Sequence, residues 1–208
     1  MNSRRSIAVI GSGVAGLVAA HELAKRNDVT LFEADPRLGG HAHTHRVDGG
    51  DGTMVSVDSA FLVHNDRTYP TLCRLFDELG VATRDTDMSM SVRHCGSGLQ
   101  YAGARGLGGL FPTLGNLARP RYLAMLAEVK KFHRAATRLL AAAATRPEPL
   151  REFVARHKFS PYFVENFLTP LVAAVWSCPP AVALDYPARY LFTFLDHHGM
   201  LTVFGSPV

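Results

Sequence analysis

Apolar and polar positions first alternate in a way that fixes one local fold. Residues 6–10, SIAVI, form a short, β-prone apolar run that ends at a glycine. A run apolar on both faces is the pattern of a buried parallel strand. In residues 14–26, Leu17, Val18, His21, Leu23 and Ala24 recur at helical spacing, and Lys25 and Arg26 suit the negative end of a helix dipole. Residues 29–33, VTLFE, give a second strand. Strand, helix and strand make one βαβ unit.

The pattern then becomes mixed and finally helical. Residues 54–63 read as extended. A short helix is expected from Thr68, closed by Gly80, and residues 86–103 hold two β-like runs around CGSG, a hairpin signal. LGGLFPTLGNL reads as a glycine-rich loop. A long helix is expected over residues 121–144, with Tyr122, Leu126, Val129, His133, Ala136, Leu140 and Ala143 as its apolar seam. TRPEP ends it. A short helix follows over 150–157. Ser160 is an expected N-cap with Pro161 at the first helical position. Pro170 is expected to kink or split that helix, and a last helix runs from Pro187 to about His198. The fold class is therefore α/β. A βαβ-containing part over residues 1–66 precedes a mainly helical part over residues 67–208.

Composition narrows the class. The 208 residues are 47% hydrophobic and 19% charged, enough apolar content for a core, with a formal net charge of +4. The basic excess is local: residues 104–158 hold eleven Lys and Arg against three Asp and Glu. The plain explanation is a solvated helix face. The alternative is an anionic membrane met by Arg119, Arg121, Lys130, Lys131, Arg134 and Arg138, which would admit a lipid-like substrate. No nucleic-acid-binding module accompanies the charge. Cys73, Cys95 and Cys178 have no metal or redox spacing, which suits a reducing compartment. With no signal-peptide pattern and no run of membrane-spanning length, a cytoplasmic location is expected.

One motif carries chemistry. Gly11-Ser12-Gly13-Val14-Ala15-Gly16 matches GxGxxG between the expected strand and helix, and Glu33 follows at the distance where a dinucleotide fingerprint places its acid. Gly11 permits the tight turn. Gly13 lets a pyrophosphate approach the backbone, and Gly16 lets the helix pack close to the strand. The helix start offers free N–H groups and a partial positive charge to phosphates. Glu33 can accept hydrogen bonds from the adenosine ribose, and its charge argues against a 2′-phosphate.

IAVIGSGVAGLVAAHEL and VTLFEADPRLGG resemble flavoproteins of the flavin amine oxidase and carotenoid desaturase superfamily. The resemblance implies FAD, with residues 1–66 as a Rossmann-like FAD-binding part and residues 67–208 as a mainly helical substrate or cap part. It implies that Glu33 and Ala34 lie at the ribose, that Gly39 and Gly40 turn the chain back beside the pyrophosphate, and that VDSAF, residues 57–61, passes near the flavin ring. GGHAHTH, NDRTYP, TDMSMSV and AAVWSCPP are similar to a narrower group of NAD/FAD-binding oxidoreductases. His41 stands where the wider family carries Arg, and a histidine is a weaker, switchable cation near neutral pH. The expected cofactor site is thus Gly11, Ser12, Gly13, Val14, Ala15, Gly16, Glu33, Ala34, Gly40 and His41.

The resemblance implies an oxidoreductase in which flavin accepts a hydride from a C–H bond of a small-molecule substrate. The resembled enzymes are considerably longer, and their second half closes the flavin site. Two alternatives follow: an inactive FAD-binding fragment, or one part of a split enzyme completed by a second polypeptide. A third is an NAD-dependent enzyme, against which the Gly39-Gly40 extension speaks. No acid, base or nucleophile is assigned. His41, His43 and His45 would share a strand face, but no acid or cysteine accompanies them and no metal is expected. Tyr69, Tyr101 and Trp176 read as core or as an aromatic wall for an apolar or cationic substrate. His197 and His198 read as a surface pair at a helix end. Asp58 and Asp87 read as turn or cap residues.

Overall fold

The computed structural model describes residues 4–60, 63–86, 89–103, 106–143 and 146–201. The chain divides into two compact units, Met1–His64 and Asn65–Val208. The first unit opens with β1 (Ser6–Ile10), α1 (Val14–Ala24) and β2 (Asp28–Phe32). β1 and β2 pair in parallel, Ser6 opposite Asp28 through Ile10 opposite Phe32, and α1 packs on both strands. β3 (Thr44–Asp48) and β4 (Met54–Asp58) then form an antiparallel hairpin. β4 is shorter than the extended stretch expected, and Phe61, the last residue of VDSAF, lies outside the described residues.

No residue of β1 or β2 is buried, although a parallel strand of this composition ordinarily has both faces covered. Ile10 is 87% exposed and Phe32 54%. In β3 and β4, Val47, Val55 and Val57 are also exposed.

The second unit holds the core. It contains α2 (Pro70–Leu79), the β5–β6 hairpin (Ser91–His94, Leu99–Ala102), α3 (Gly106–Leu110), a 3-10 turn (Leu114–Asn116) and α4 (Pro120–Ala141). Next come α5 (Leu150–Arg156), α6 (Pro161–Phe163), α7 (Thr169–Trp176) and α8 (Ala188–His197). Gly80 closes α2 with φ at 66°, a left-handed conformation that glycine adopts without strain. Asp87 lies outside the described residues.

Phe132 of α4 is at the centre of that core, with its ring 5.3–6.2 Å from those of Phe153, Phe159, Phe163, Phe167 and Phe192. The buried face of α4 is Tyr122, Met125, Phe132, Ala135 and Ala136. It shares Tyr122 and Ala136 with the seam expected, whose Leu126, Val129 and Leu140 also pack partly buried against the core, and adds Met125, Phe132 and Ala135. His133 sits at its edge, with Nδ1 buried and without a hydrogen-bond partner among the described residues. Burial lowers its pKa from the ordinary imidazole value. α4 stops at Ala141, and Arg189 of α8 donates to the carbonyls of Leu139, Leu140 and Ala142 at that end. A cation at the negative end of a helix is the favourable arrangement.

Ser160 is the expected N-cap: its Oγ accepts from the N–H of Phe163. Pro170 does not split the helix. α6 runs through a π turn (Val164–Leu168) directly into α7. A proline cannot donate to the carbonyl four residues earlier, here Asn166, and the wider turn absorbs the mismatch. The buried Tyr101 hydroxyl donates to that same Asn166 carbonyl at 2.7 Å. Burial pushes the Tyr101 phenol well above its ordinary range.

Candidate dinucleotide-binding site

The turn after β1 is built as the glycines require. Gly11 has φ at 92°, and its N–H donates to the Phe32 carbonyl at 2.7 Å, fastening β1 to β2. A Cβ at Gly16 would fall 1.9 Å from the Gly11 carbonyl oxygen, so only glycine permits α1 to lie this close to the turn. Gly13 is the N-cap of α1, in extended conformation and without a side-chain cap bond. A Cβ placed on Gly13 would meet nothing within 4 Å, so the space beside the helix start is open. The first turn of α1 carries no acidic side chain. Val14 and Ala15 are exposed there.

The Gly39-Gly40 turn comes back against this cradle. Gly39 and Gly13 form a parallel β-bridge, and Gly39 N–H donates to the Ser12 carbonyl at 2.9 Å. Gly39 and Gly40 have φ at 109° and 59°. A Cβ on Gly40 would lie 2.8 Å from the Gly13 Cα, so this close approach also needs glycine. His41 follows on the exposed side of the turn.

Ser12 joins three segments. It is fully buried. Its N–H and its hydroxyl both donate to Oε2 of Glu33, the N–H at 2.7 Å, while its Oγ accepts from Gly39 N–H at 3.3 Å. Oε1 of Glu33 accepts from the N–H groups of Ala34 and Asp35 at 2.7 and 2.9 Å. The Asp35 N–H most of all, then the Ser12 hydroxyl and N–H, hold the Glu33 carboxyl at about 2 against an ordinary 4.5. Each carboxylate oxygen has about two acceptor sites. Glu33 therefore braces the turn with all four, and a ribose hydroxyl would share or replace a Ser12 contact.

Arg37 is the residue that pattern reading passed over. Its guanidinium donates to the carbonyls of Leu38, Gly40 and Ala42 at 3.0, 2.6 and 2.9 Å, clamping the turn from one side. A lone cation two residues before a glycine pair, whose turn leaves carbonyls unpaired, is the signal that could have found it. Arg37 also lines a cavity of about 490 Å³ with Leu38, Ala42, His43, Thr44, Asp58 and Ala60. This is within the size range of small-molecule sites. Partial desolvation first, then the charges of Arg37 and His45, lower the His43 pKa. His43 and His45 rings lie 3.8 Å apart, and His45 Nε2 pairs with Ser59 Oγ at 3.0 Å. Asp58 accepts from the Thr44 hydroxyl across the β3–β4 pair.

The structure thus brings together Gly11, Ser12, Gly13, Gly16, Glu33, Ala34 and Gly40. Of the three aromatic candidates of the second unit, Tyr69 and Trp176 are joined in one aromatic row through His198 and Phe194, while Tyr101 packs on Tyr122. Tyr101 is buried on Asn166, Tyr69 hydroxyl meets His198 Nε2 at 3.3 Å, and Trp176 packs on Tyr186, Tyr190 and Phe194. His198 is not a surface residue. It is 9% exposed, with Nδ1 on the Phe194 carbonyl at 2.8 Å, while His197 is exposed as expected.

Residues 9–79 match the NAD(P)-binding Rossmann-like domain family. The flavin-dependent L-tryptophan oxidase RebO of Lentzea aerocolonigenes is 53% identical over 52 residues, 24% of this chain and 11% of that protein. The carotenoid phi-ring synthase of Streptomyces griseus is 36% identical over 104 residues, 48% of this chain and 20% of that protein. A solved structure of putrescine oxidase bound to putrescine superposes with a TM-score of 0.57 at 21% identity, covering 96% of this chain and 43% of that one. The chain spans less than half the length of these proteins. The superposition shows a shared fold, and the resemblance read from residues 6–41 is borne out by the relatives.

Proposed function

We infer that this chain, with its NAD(P)-binding Rossmann-like segment at residues 9–79, is the FAD-binding and partial substrate portion of a flavin-dependent oxidoreductase. Residues 1–66 form the FAD-binding part and residues 67–208 the mainly helical substrate or cap part. The observation that carries this reading is the seating of Gly40 against Gly13. A cradle with open space beside Gly13 and a second glycine turn closing on it fits an extended pyrophosphate. FAD, when bound, supplies an acceptor for a hydride from a substrate C–H bond.

The chain's own residues bind and orient. The N-terminus of α1 and the backbone at Gly13 would hold the pyrophosphate. Glu33, ionised, would accept from the adenosine ribose by sharing or replacing a Ser12 contact, and its charge would disfavour a 2′-phosphate. Ser12 and Arg37 hold the two glycine turns in register, and His41 lies at the end of the second. A reducing, cytoplasmic setting suits the free thiols of Cys73, Cys95 and Cys178. The substrate class inferred is small organic molecules, which fits a relative named for L-tryptophan and a structural neighbour bound to putrescine.

The test is anaerobic mixing of the FAD-loaded chain with putrescine and with L-tryptophan. Bleaching of the visible flavin band by either supports the oxidoreductase reading. Tight FAD binding without bleaching by a wider panel of C–H donors favours a second reading, in which this chain is an FAD-binding portion completed by another polypeptide. The exposed apolar side chains of β1 and β2, Ile10 and Phe32, support that second reading.

A further inference from the structure

In the 3-10 turn Leu114–Asn116 the usual polarity is reversed. Asn116 is 1% exposed, while Leu114 is 85% exposed and Leu117 just beyond it 53%. Leu107 in α3 is 76% exposed and Leu123 in the first turn of α4 41%. Single exposed leucines are ordinary, but a buried asparagine between exposed leucines is informative. The reversal is held by hydrogen bonds. Asn116 Nδ2 donates to the carbonyls of Gln100 and Leu110 at 2.9 and 3.2 Å, and Tyr122 hydroxyl donates to the same Leu110 carbonyl at 2.8 Å. Arg119 donates to the Ser97 carbonyl at 3.0 Å. α3, the turn and the start of α4 are therefore fastened to one another and to the β5–β6 hairpin, with Leu107, Leu114, Leu117 and Leu123 turned to solvent.

The charge along this segment has one sign. No Asp or Glu occurs between Asp87 and Glu128, whereas Arg119 and Arg121 stand among the leucines. Farther along α4, Lys130, Arg134 and Arg138 are exposed. We propose that residues 107–123 are a docking surface for an anionic lipid bilayer. Leu107, Leu114 and Leu117 enter the acyl boundary, and Arg121, followed along α4 by the exposed Lys130 and Arg134, meets headgroup phosphates. Apolar side chains interleaved with cations match an interface that is hydrocarbon below and anionic above. Nucleic acid offers the charge without the hydrocarbon. Among the described residues no helix is long and apolar enough to cross a membrane, so this contact lies on the surface.

The test is co-sedimentation of the chain with vesicles of phosphatidylcholine alone and of phosphatidylcholine mixed with phosphatidylglycerol. The chain is expected to pellet with the mixed vesicles and to be released by salt. The double variant Leu114→Ser, Leu117→Ser is expected to weaken partitioning on the order of tenfold or more through lost apolar burial. Arg121→Gln is expected to weaken it roughly fivefold. Both variants alter exposed side chains, so thermal unfolding stays unchanged and reports that the fold is intact. Absence of pelleting, or pelleting indifferent to the leucine pair, would overturn the proposal. So would a wild-type oligomer that the leucine variant turns into a monomer, because the surface would then join copies of the chain.

Discussion

Alanine at Gly13 and alanine at Gly16 are expected to fail in opposite ways. At Gly16 the new Cβ would lie 1.9 Å from the Gly11 carbonyl oxygen and 3.0 Å from its carbon, against 3.4 Å or more for ordinary contact. The obstacle is backbone, so turn and helix must separate. Forcing a methyl into a packed site costs about 1–3 kcal/mol, and more where the neighbour cannot turn away. At about 2 kcal/mol the unfolding temperature of a chain this size drops by roughly 4–8 °C. At Gly13 the new Cβ meets nothing within 4 Å, and the extended backbone, φ −66° and ψ 174°, suits any residue. Losing glycine at a helix N-cap costs about 0.5–1 kcal/mol. The stiffer unfolded chain offsets about 0.4–1 kcal/mol. Stability is therefore nearly unchanged, while the methyl fills the space through which a pyrophosphate reaches α1. FAD affinity should fall at least tenfold, about 1.4 kcal/mol. Thermal unfolding by circular dichroism and FAD titration by flavin fluorescence separate the two effects. A Gly13→Ala chain that binds FAD like the wild type would refute the pyrophosphate placement. An unshifted unfolding temperature for Gly16→Ala would refute the close contact between turn and helix.

Other outcomes follow from single contacts. Tyr101→Phe leaves the buried Asn166 carbonyl without its hydroxyl donor and should cost about 1–3 kcal/mol in denaturant unfolding. The loss should be smaller in a Pro170→Ala background, where a backbone N–H returns at the position four residues on. Glu33 has its carboxyl lowered from 4.5 to about 2, so its brace is complete above about pH 4.5 and is lost as pH falls through 2. The stability difference between wild type and Glu33→Gln should accordingly be constant above pH 4.5 and shrink below it. Arg37→Ala removes the clamp on the carbonyls of Leu38, Gly40 and Ala42. Hydrogen exchange at Ala42 N–H, which donates to Gly39, should speed up, and FAD should bind more weakly.

The residues that sequence made legible are those whose role is set by neighbours along the chain. Gly11, Gly16 and the β1–α1–β2 pattern depend on backbone geometry within a few residues, and periodicity exposes them. Ser160 caps its own helix for the same reason. Contacts made across the fold were hidden. Asn116 reads as a loop asparagine until the carbonyls of Gln100 and Leu110 are brought to it. His198 reads as a surface residue until Tyr69 of another segment covers it. Pro170 reads as a helix breaker, because the hydroxyl that satisfies Asn166 comes from a strand residue 65 positions away. The glycine-rich stretch around Leu107 reads as a loop, yet it contains a helix and a turn that the second unit's core holds in place.

The central claim is that Gly13, Glu33 and the Gly39-Gly40 turn together receive FAD. Its most direct test is the visible absorption spectrum of the purified chain before and after incubation with FAD, with NAD as control. The account predicts a protein-bound flavin spectrum approaching one FAD per chain, not displaced by NAD. A folded chain that retains no flavin, or that binds NAD in its place, would contradict it.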